Sequence, residues 1–457
     1  MRARRWLSVP IALALFAALA STARAEVSEA EAARLDRELT PMGAERAGNA
    51  SGTIPAWTGG ITAPPSGWVA GEREIDPFAG DAALYTISAE NIEAHADVLC
   101  AGHEALLRAH PETRRMHVYP TRRSASYPDW VNAAVRENAT RARVVLEGKG
   151  SVAGARIGPP FPIPKLGVEV VWNHNLRWRG ARVARSDGSA AVTSLGKYAV
   201  VQSEQLIGLP YGAREADAFG REFPNLLFGL RTMVFSPSRL AGNAALVIEP
   251  IDQTNAPRKS WNYNREFRRV FRNPWQAYDF PAQYSDGLRT VDDFWLYSGP
   301  PDRYEWKLLG KRELLIPYNA YRLHAGDVGP AQILGRHHVE SDLARYEVHR
   351  VWVVEGTLRA GEKHLYARRV FYVDEDSWQI AMAESYDAEG RLWRVNEAHA
   401  LNYYGVPVLW TTLEVFHDLK EDRYLVMGLD NGRRSYRFSE GSDPREFSPN
   451  ALMYYVR

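Results

Sequence analysis

The chain has one cysteine, Cys100, among its 457 residues. A single thiol closes no intramolecular disulfide and builds no cysteine zinc cluster. It also lies far from the start of the chain, so a cysteine-anchored lipid next to a cleaved leader is excluded. Long apolar runs are equally scarce. A spanning helix needs roughly 18 apolar residues, and nothing after residue 25 approaches that. The one early run, Trp6 to Ala20, follows Arg2, Arg4 and Arg5 and precedes the small-x-small site Ala23-Arg24-Ala25. That layout is a secretory signal. Arg4-Arg5-Trp6-Leu7 resembles a twin-arginine signal, although the general secretory route fits better. The expectation is a signal peptide over 1–25 and a mature chain, without a stable membrane span, beginning near Glu26. No charge of one sign dominates either. The formal net charge is +1, and losing the four leader arginines takes it to −3. A nucleic-acid binder carries a basic footprint instead.

Familiar catalytic loops are missing too. Gly188 and Gly196-Lys197 do not have Walker spacing, and no G-x-S-x-G elbow occurs. His103-Glu104 opens like a zinc-protease helix, but Leu107 stands where the second histidine belongs.

What is present is a 45% hydrophobic, 24% charged composition, which is globular. Arginine supplies nearly all the positive charge, and arginine stacks on aromatic rings such as the abundant tryptophans and tyrosines. Residues 26–180 read as helix and loop. Residues 28–39 form a helix with Ser28 and Glu31 as a capping box, and 40–68 form a Gly/Pro-rich wrapping loop. A helix starts at Ser88 and stops at Pro111, another covers 128–147, and a short one starts near 166 and ends by Gly180. Residues 181–457 read as one antiparallel meander. Its clearest strands are 346–358, 365–373, 378–386 and 392–403, and Asn431-Gly432 marks a further tight hairpin.

Acidic residues crowd 373–395. Alternation puts Trp378, Ile380, Met382, Glu384 and Tyr386 on a bulky face, opposite small residues. Asp374, Glu375, Asp376, Asp387 and Glu389 fall in turns, where carboxylates punctuate strands. Only Glu384 belongs to a strand face. Other candidates are a metal set of His337, His338 and Asp342, a convergence of His349, His364 and His399, and a carboxylate pair of Glu384 and Glu397. For each, solvated or core side chains are the simpler reading. "NREFRRVFRNP" (264–274) alternates Phe267, Arg269 and Phe271 with Arg268, Val270 and Arg272. This reads as a strand with a solvated face, or as an arginine surface for anionic lipid heads or an acidic partner.

The blocks "LTPMGAERAGNASGTIPAWTGG" (39–60), "PFPIPKLGVEVVWNHNLRWRG" (160–180), "RKSWNYNREFRRVFRNP" (258–274), "GPPDRYEWKLLGKRELLIPYN" (299–319) and "RYEVHRVWVVEGTLRAGEKHLYARRVFYVDEDSWQIAMAESYDAEGRLWRVNEAH" (345–399) resemble the bacterial family called domain of unknown function 1329. Arg265-Glu266 departs from it, where a Pro-Gly-like turn is expected. The resemblance implies an α+β fold like the lipoprotein carriers LolA and LolB: a strongly curved antiparallel sheet, an open half-barrel, closed over helices. It implies a single such domain over 26–457. It also implies the label of outer-membrane lipoprotein sorting, and genes placed near resistance-nodulation-division type exporters.

The expectation is therefore a periplasmic carrier or binding protein for a lipid or other hydrophobic molecule, serving such an exporter, and not an enzyme. No cofactor, metal or nucleic acid is expected. The alternatives are an envelope enzyme acting on glycans or lipids, and a structural adaptor of an exporter complex. The cavity-lining candidates are Trp352, Trp378, Ile380, Met382, Tyr386 and Trp393.

Overall fold

The computed structural model describes residues 27–145, 149, 151–215, 218–254, 256–273 and 278–454. The expected signal segment, 1–25, lies outside them. No helix among the described residues is long and apolar enough to cross a membrane.

Four short strands come first: β1 (Tyr85–Ile87), β2 (Met116–Val118), β3 (Arg143–Val144) and β4 (Val152–Ala153). A meander of six follows: β5 (Arg182–Val192), β6 (Val201–Gly208), β7 (Leu226–Ser236), β8 (Ala244–Pro250), β9 (Lys259–Asn264) and β10 (Arg269–Arg272). After β11 (Tyr304–Pro317) comes a second meander: β12 (Tyr346–Leu358), β13 (Arg368–Asp374), β14 (Ile380–Tyr386), β15 (Leu392–Tyr403), β16 (Val408–Asp418) and β17 (Arg423–Met427). The last strand is β18 (Arg437–Ser439).

All but β3 and β4 join one 16-stranded sheet running from β1 and β2 through β12 to β17, then β5 to β10. β11 flanks β12 and β18 flanks β5. Its pairs are antiparallel except for Tyr346 against Val118. With β1 and β10 at its ends the sheet is open and curved, closed over helices, as the family resemblance implied.

The expected single meander is in fact two, joined where β17 lies beside β5, Tyr424 opposite Val192. The Asn431-Gly432 hairpin does not form. β17 and β18 both pair with β5 and not with each other. The chain between them is pulled off the ladder at Gly428, whose φ is +94°. Buried Asp430 then lies 2.8 Å from His324 and 3.3 Å from Arg73.

The helices are shorter than their sequence periods. The capping box of Ser28 and Glu31 forms, but α1 (Glu29–Ala32) spans one turn. The segment after Ser88 breaks at Leu99 and Cys100 into a 3₁₀ stretch and α2 (Ala101–Ala109). The break lets the Gly102 N–H donate to the Glu384 carboxylate at 2.7 Å, which suits an anion at a helix start. α3 (Asp129–Arg141) ends six residues early. α4 (Gly167–Leu176) is buried along its whole length, against β11 and β12. Gly167 is required there, because a Cβ would meet the Trp306 and Lys307 backbone at 2.8 Å. The wrapping loop is packed by its tryptophans. Trp57 lies under Arg46, and Trp68 meets Tyr404 edge-on at 5.3 Å. One apolar cluster joins Met42, Val131 and Trp172 to Leu227 and Trp410, so the N-terminal segment and the sheet share a core.

Candidate functional site

The six cavity-lining candidates do not share a face. Ile380 pairs with Val373 but Met382 pairs with Tyr372, which leaves Ala381 as an extra residue in β14. Such a bulge reverses the alternation beyond it. Trp378 and Ile380 therefore pack with Val354 and Phe371, with Trp352 against them. Met382 and Tyr386 pack on the other side with Leu106 and Val395. Trp378 holds φ +59°, and its Nε1 donates to the Met42 carbonyl at 2.9 Å. Trp393 is half-buried, and its Nε1 donates to Asp418 at 3.1 Å. Trp352 alone of the six rims a groove, beside Lys311 and Ile163.

The acids do mark a turn between β13 and β14, but they are buried rather than solvated. Arg123 grips Asp376 at 2.6 and 2.8 Å. Lys311 reaches Glu375 at 2.7 Å. Burial, then the neighbouring Asp376, pushes Asp374 up to about 7. Glu384 and Glu397 lie on adjacent strands, two register positions apart, and each is held by its own donors. Glu384 accepts from Gly102, Tyr372 and, at 2.6 Å, Tyr386. Glu397 accepts from Arg114 at 2.9 Å and Tyr346 at 2.6 Å, with His417 at 3.3 Å. Every oxygen of both is engaged by these donors.

The histidines considered for a convergence stay apart, as core side chains. His349 faces Glu347 at 3.1 Å and His364 faces Asp292 at 3.2 Å, while His399 is buried near Tyr346. The set of His337, His338 and Asp342 does not form. Asp342 pairs with His117 and His338 with Thr113, each at 2.9 Å.

A pocket opens elsewhere, on the first meander. Strands β6 to β9 floor it and residues 282–294 wall it. Phe228, Leu230, Val234, Val247, Val291 and Phe294 give it apolar surface, and its open volume is about 130 Å³. Arg289 and Arg258 complete the lining. Arg289 is only 8% exposed, lies 5.4 Å over the Phe294 ring, and has no partner for its Nε. Burial lowers its pKa, and Glu414 opposes that fall. Arg258 pairs with Glu249 at 3.2 Å, and its Nε is also unpartnered. A buried guanidinium with an unused donor can bind an anion. Sequence reading missed this pocket. "RKSW" carried Arg258, but Arg289 sits in a loop with no periodicity to place it.

Residues 86–453 match the family described as Protein of unknown function (DUF1329). The chain belongs to that family. An uncharacterized protein of Pseudomonas aeruginosa is 42% identical over 435 residues, 95% of each chain. Solved structures are more distant from this DUF1329 protein. A DUF1329 family protein from Desulfovibrio piger is 16% identical, with TM-score 0.42, over 60% of this chain and 92% of that one. A putative outer membrane lipoprotein-sorting protein domain from Vibrio parahaemolyticus is 14% identical, with TM-score 0.44, over 63% and 98%. A LolA superfamily protein from Nitrosomonas europaea is 12% identical, with TM-score 0.38, over 63% and 100%.

In this DUF1329 protein the described part of the basic segment, 264–273, is no continuous strand. It is a hairpin turn between β9 and β10, with Arg268 at φ +49°. Phe267 and Phe271 are exposed and meet edge-on at 6.3 Å. The departure at Arg265-Glu266 thus falls in the turn itself, where the family resemblance anticipated one.

Proposed function

We propose that this chain is a carrier or binding protein for a hydrophobic molecule with an acidic head. The apolar part enters the pocket on β6 to β9, and the head meets Arg289. The observation that carries this reading is Arg289 itself, a buried cation with an unused donor at an apolar cavity. The same proposal places the protein in the periplasm, beside an exporter of the resistance-nodulation-division type, and assigns it no catalytic step. This location and partner rest on the leader-like N-terminus and the family resemblance.

The pocket's 130 Å³ matches about four waters of liquid volume, or the tip of an alkyl chain. At about 0.8 kcal/mol per methylene, four methylenes contribute about 3 kcal/mol, which alone corresponds to millimolar affinity. A useful carrier therefore needs the charged contact, a wider pocket, or both.

The test is native mass spectrometry of protein purified without detergent, followed by extraction of what is released. The expected result is an acidic, hydrophobic adduct. Both Arg289→Leu and the pocket-filling Val247→Trp lose it while circular dichroism is unchanged. A clean protein mass, with no uptake of added palmitate or phosphatidylglycerol, would overturn the reading.

A further inference from the structure

Three side chains distant in sequence meet at the end of the second meander and share no residue with the pocket. His110 caps the C-terminus of α2. His337 lies in a loop closed by the Leu334–Val339 bridge. Asp422 sits in the turn between β16 and β17. His337 Nδ1 is 3.1 and 3.0 Å from the two Asp422 oxygens, and His110 Nε2 is 3.4 Å from Oδ1. One donor atom from each residue lies within 4.8 Å of the others.

Zinc holds nitrogen and carboxylate oxygen at about 2.0–2.2 Å, which separates neighbouring donors by about 3.3–3.6 Å around a tetrahedral ion. The 3.4 Å gap from His110 to Asp422 is such an edge, and the gaps from His337 are hydrogen-bond contacts that an ion would widen slightly. Asp422 has no cationic partner other than these two histidines among the described residues.

The arrangement is held before any ion arrives. The Tyr424 hydroxyl donates to the Gly335 and His338 carbonyls at 2.5 and 3.2 Å, which pins the loop of His337 to the strand following Asp422. Gly335 permits the tight loop, because a Cβ there would meet the His338 carbonyl oxygen at 2.6 Å. His338 turns inward to Thr113 at 2.9 Å and so ties the same loop to the segment just after His110. His337, next to it in the bend, instead stacks its ring on His110 at 4.7 Å. The side chains of His110, His337 and Asp422 are 10%, 21% and 46% exposed, so one side of the trio opens to solvent.

We propose that His110, His337 and Asp422 form a site for a divalent transition-metal ion of the zinc class, with at least one coordination position open. Two imidazoles and one carboxylate suit zinc, nickel, copper or iron better than calcium or magnesium. The ion would clamp α2, the 334–339 loop and the β16–β17 turn together.

The test uses untagged, chelator-stripped full chain, titrated with ZnCl2 by calorimetry and with CoCl2 by visible absorption. One equivalent should bind, with cobalt d–d bands of a nitrogen/oxygen site and a raised Tm. His337→Ala and Asp422→Asn should each weaken binding at least about tenfold, while His117→Ala leaves it unchanged. Asp422→Asn, in a partly exposed turn, keeps the comparison valid should a histidine variant fold poorly. Absence of a stoichiometric site in the stripped wild type, or undiminished binding in Asp422→Asn and in the His110→Ala/His337→Ala double variant, would overturn the proposal.

Discussion

Replacing His103 with leucine should flatten the acid side of the stability curve by a calculable amount. His103 lies in α2, 1% exposed, and neither ring nitrogen has a hydrogen-bond partner. Burial lowers its pKa to about 4, the Glu397 carboxylate opposes the fall, and Arg114 adds to it. In the unfolded chain the same ring titrates near 6.5. A depressed folded pKa means full stability above 6.5, lost as pH drops toward 4 because only the unfolded chain takes up the proton. At pH 5 the loss is about 2 kcal/mol for this residue. Other groups titrate in the same range; Asp374, with its raised pKa, works in the opposite direction. They are common to parent and variant and cancel in the difference. Urea unfolding at pH 7.5 and pH 5.0 is the assay. Between those two pH values the wild type should lose about 2 kcal/mol more than His103→Leu. Profiles that stay parallel to within about 0.5 kcal/mol would refute a neutral, unpartnered His103.

Two further substitutions probe the packing. Arg369 is wholly buried, donates to Asp292 at 2.9 and 3.1 Å and to Asp293 at 3.2 Å. Arg369→Met should cost about 3–5 kcal/mol by stranding two carboxylates, and adding Asp292→Asn with Asp293→Asn should recover part of it in denaturant titrations. Gly43 has φ +88°, and a Cβ there would fall 1.8 Å from the Pro162 carbonyl oxygen, whereas Gly390, at φ +77°, has nothing within 4 Å. Gly390→Ala should cost about 1–2 kcal/mol for its backbone alone. Gly43→Ala should cost clearly more and shift the fluorescence of Trp378, whose indole binds the adjacent Met42 carbonyl.

Alternation made the second meander readable. The strands expected over 346–358 and 392–403 match β12 and β15 in span, because Val, Tyr and Trp recur with period two and Gly-containing turns punctuate them. The bulge at Ala381 was invisible for a physical reason. Alanine fits either face, so a one-residue phase slip leaves no mark in the pattern, yet it sends Trp378 and Met382 to opposite sides. The turn of Asp374, Glu375 and Asp376 was legible as a turn, but its burial was not. The cations that neutralise it, Arg123, Lys311 and Arg350, come from segments with no local relation to it. The pairing of β17 with β5 and the meeting of His110 with Asp422 are likewise long-range. Adjacent His337 and His338 raised a metal reading in the sequence, but their meeting with His110 and Asp422 depends on distant segments.

The size of the pocket constrains how cargo would enter. A chain longer than a few methylenes requires part of the wall 282–294 to yield, and the two halves of that wall are held very differently. The second half is fixed. Asp292 and Asp293 are clamped by Arg369, Phe294 stacks on Trp295 at 4.3 Å, and Arg179 covers Trp295 at 3.9 Å. The first half is held by backbone bonds, chiefly between Ala282 and Arg289 at 2.9 Å, by Arg394 donating to the Gly287 carbonyl at 2.8 Å, by the partly exposed Arg423–Asp286 pair at 3.0 Å and by buried Leu288. Its ion pair lies nearer the surface than the Arg369 clamp, so local fraying would start at 282–289. That half carries Arg289. Under the proposed function, the residue that would receive the acidic head sits on that segment, which would couple head recognition to closure of the wall.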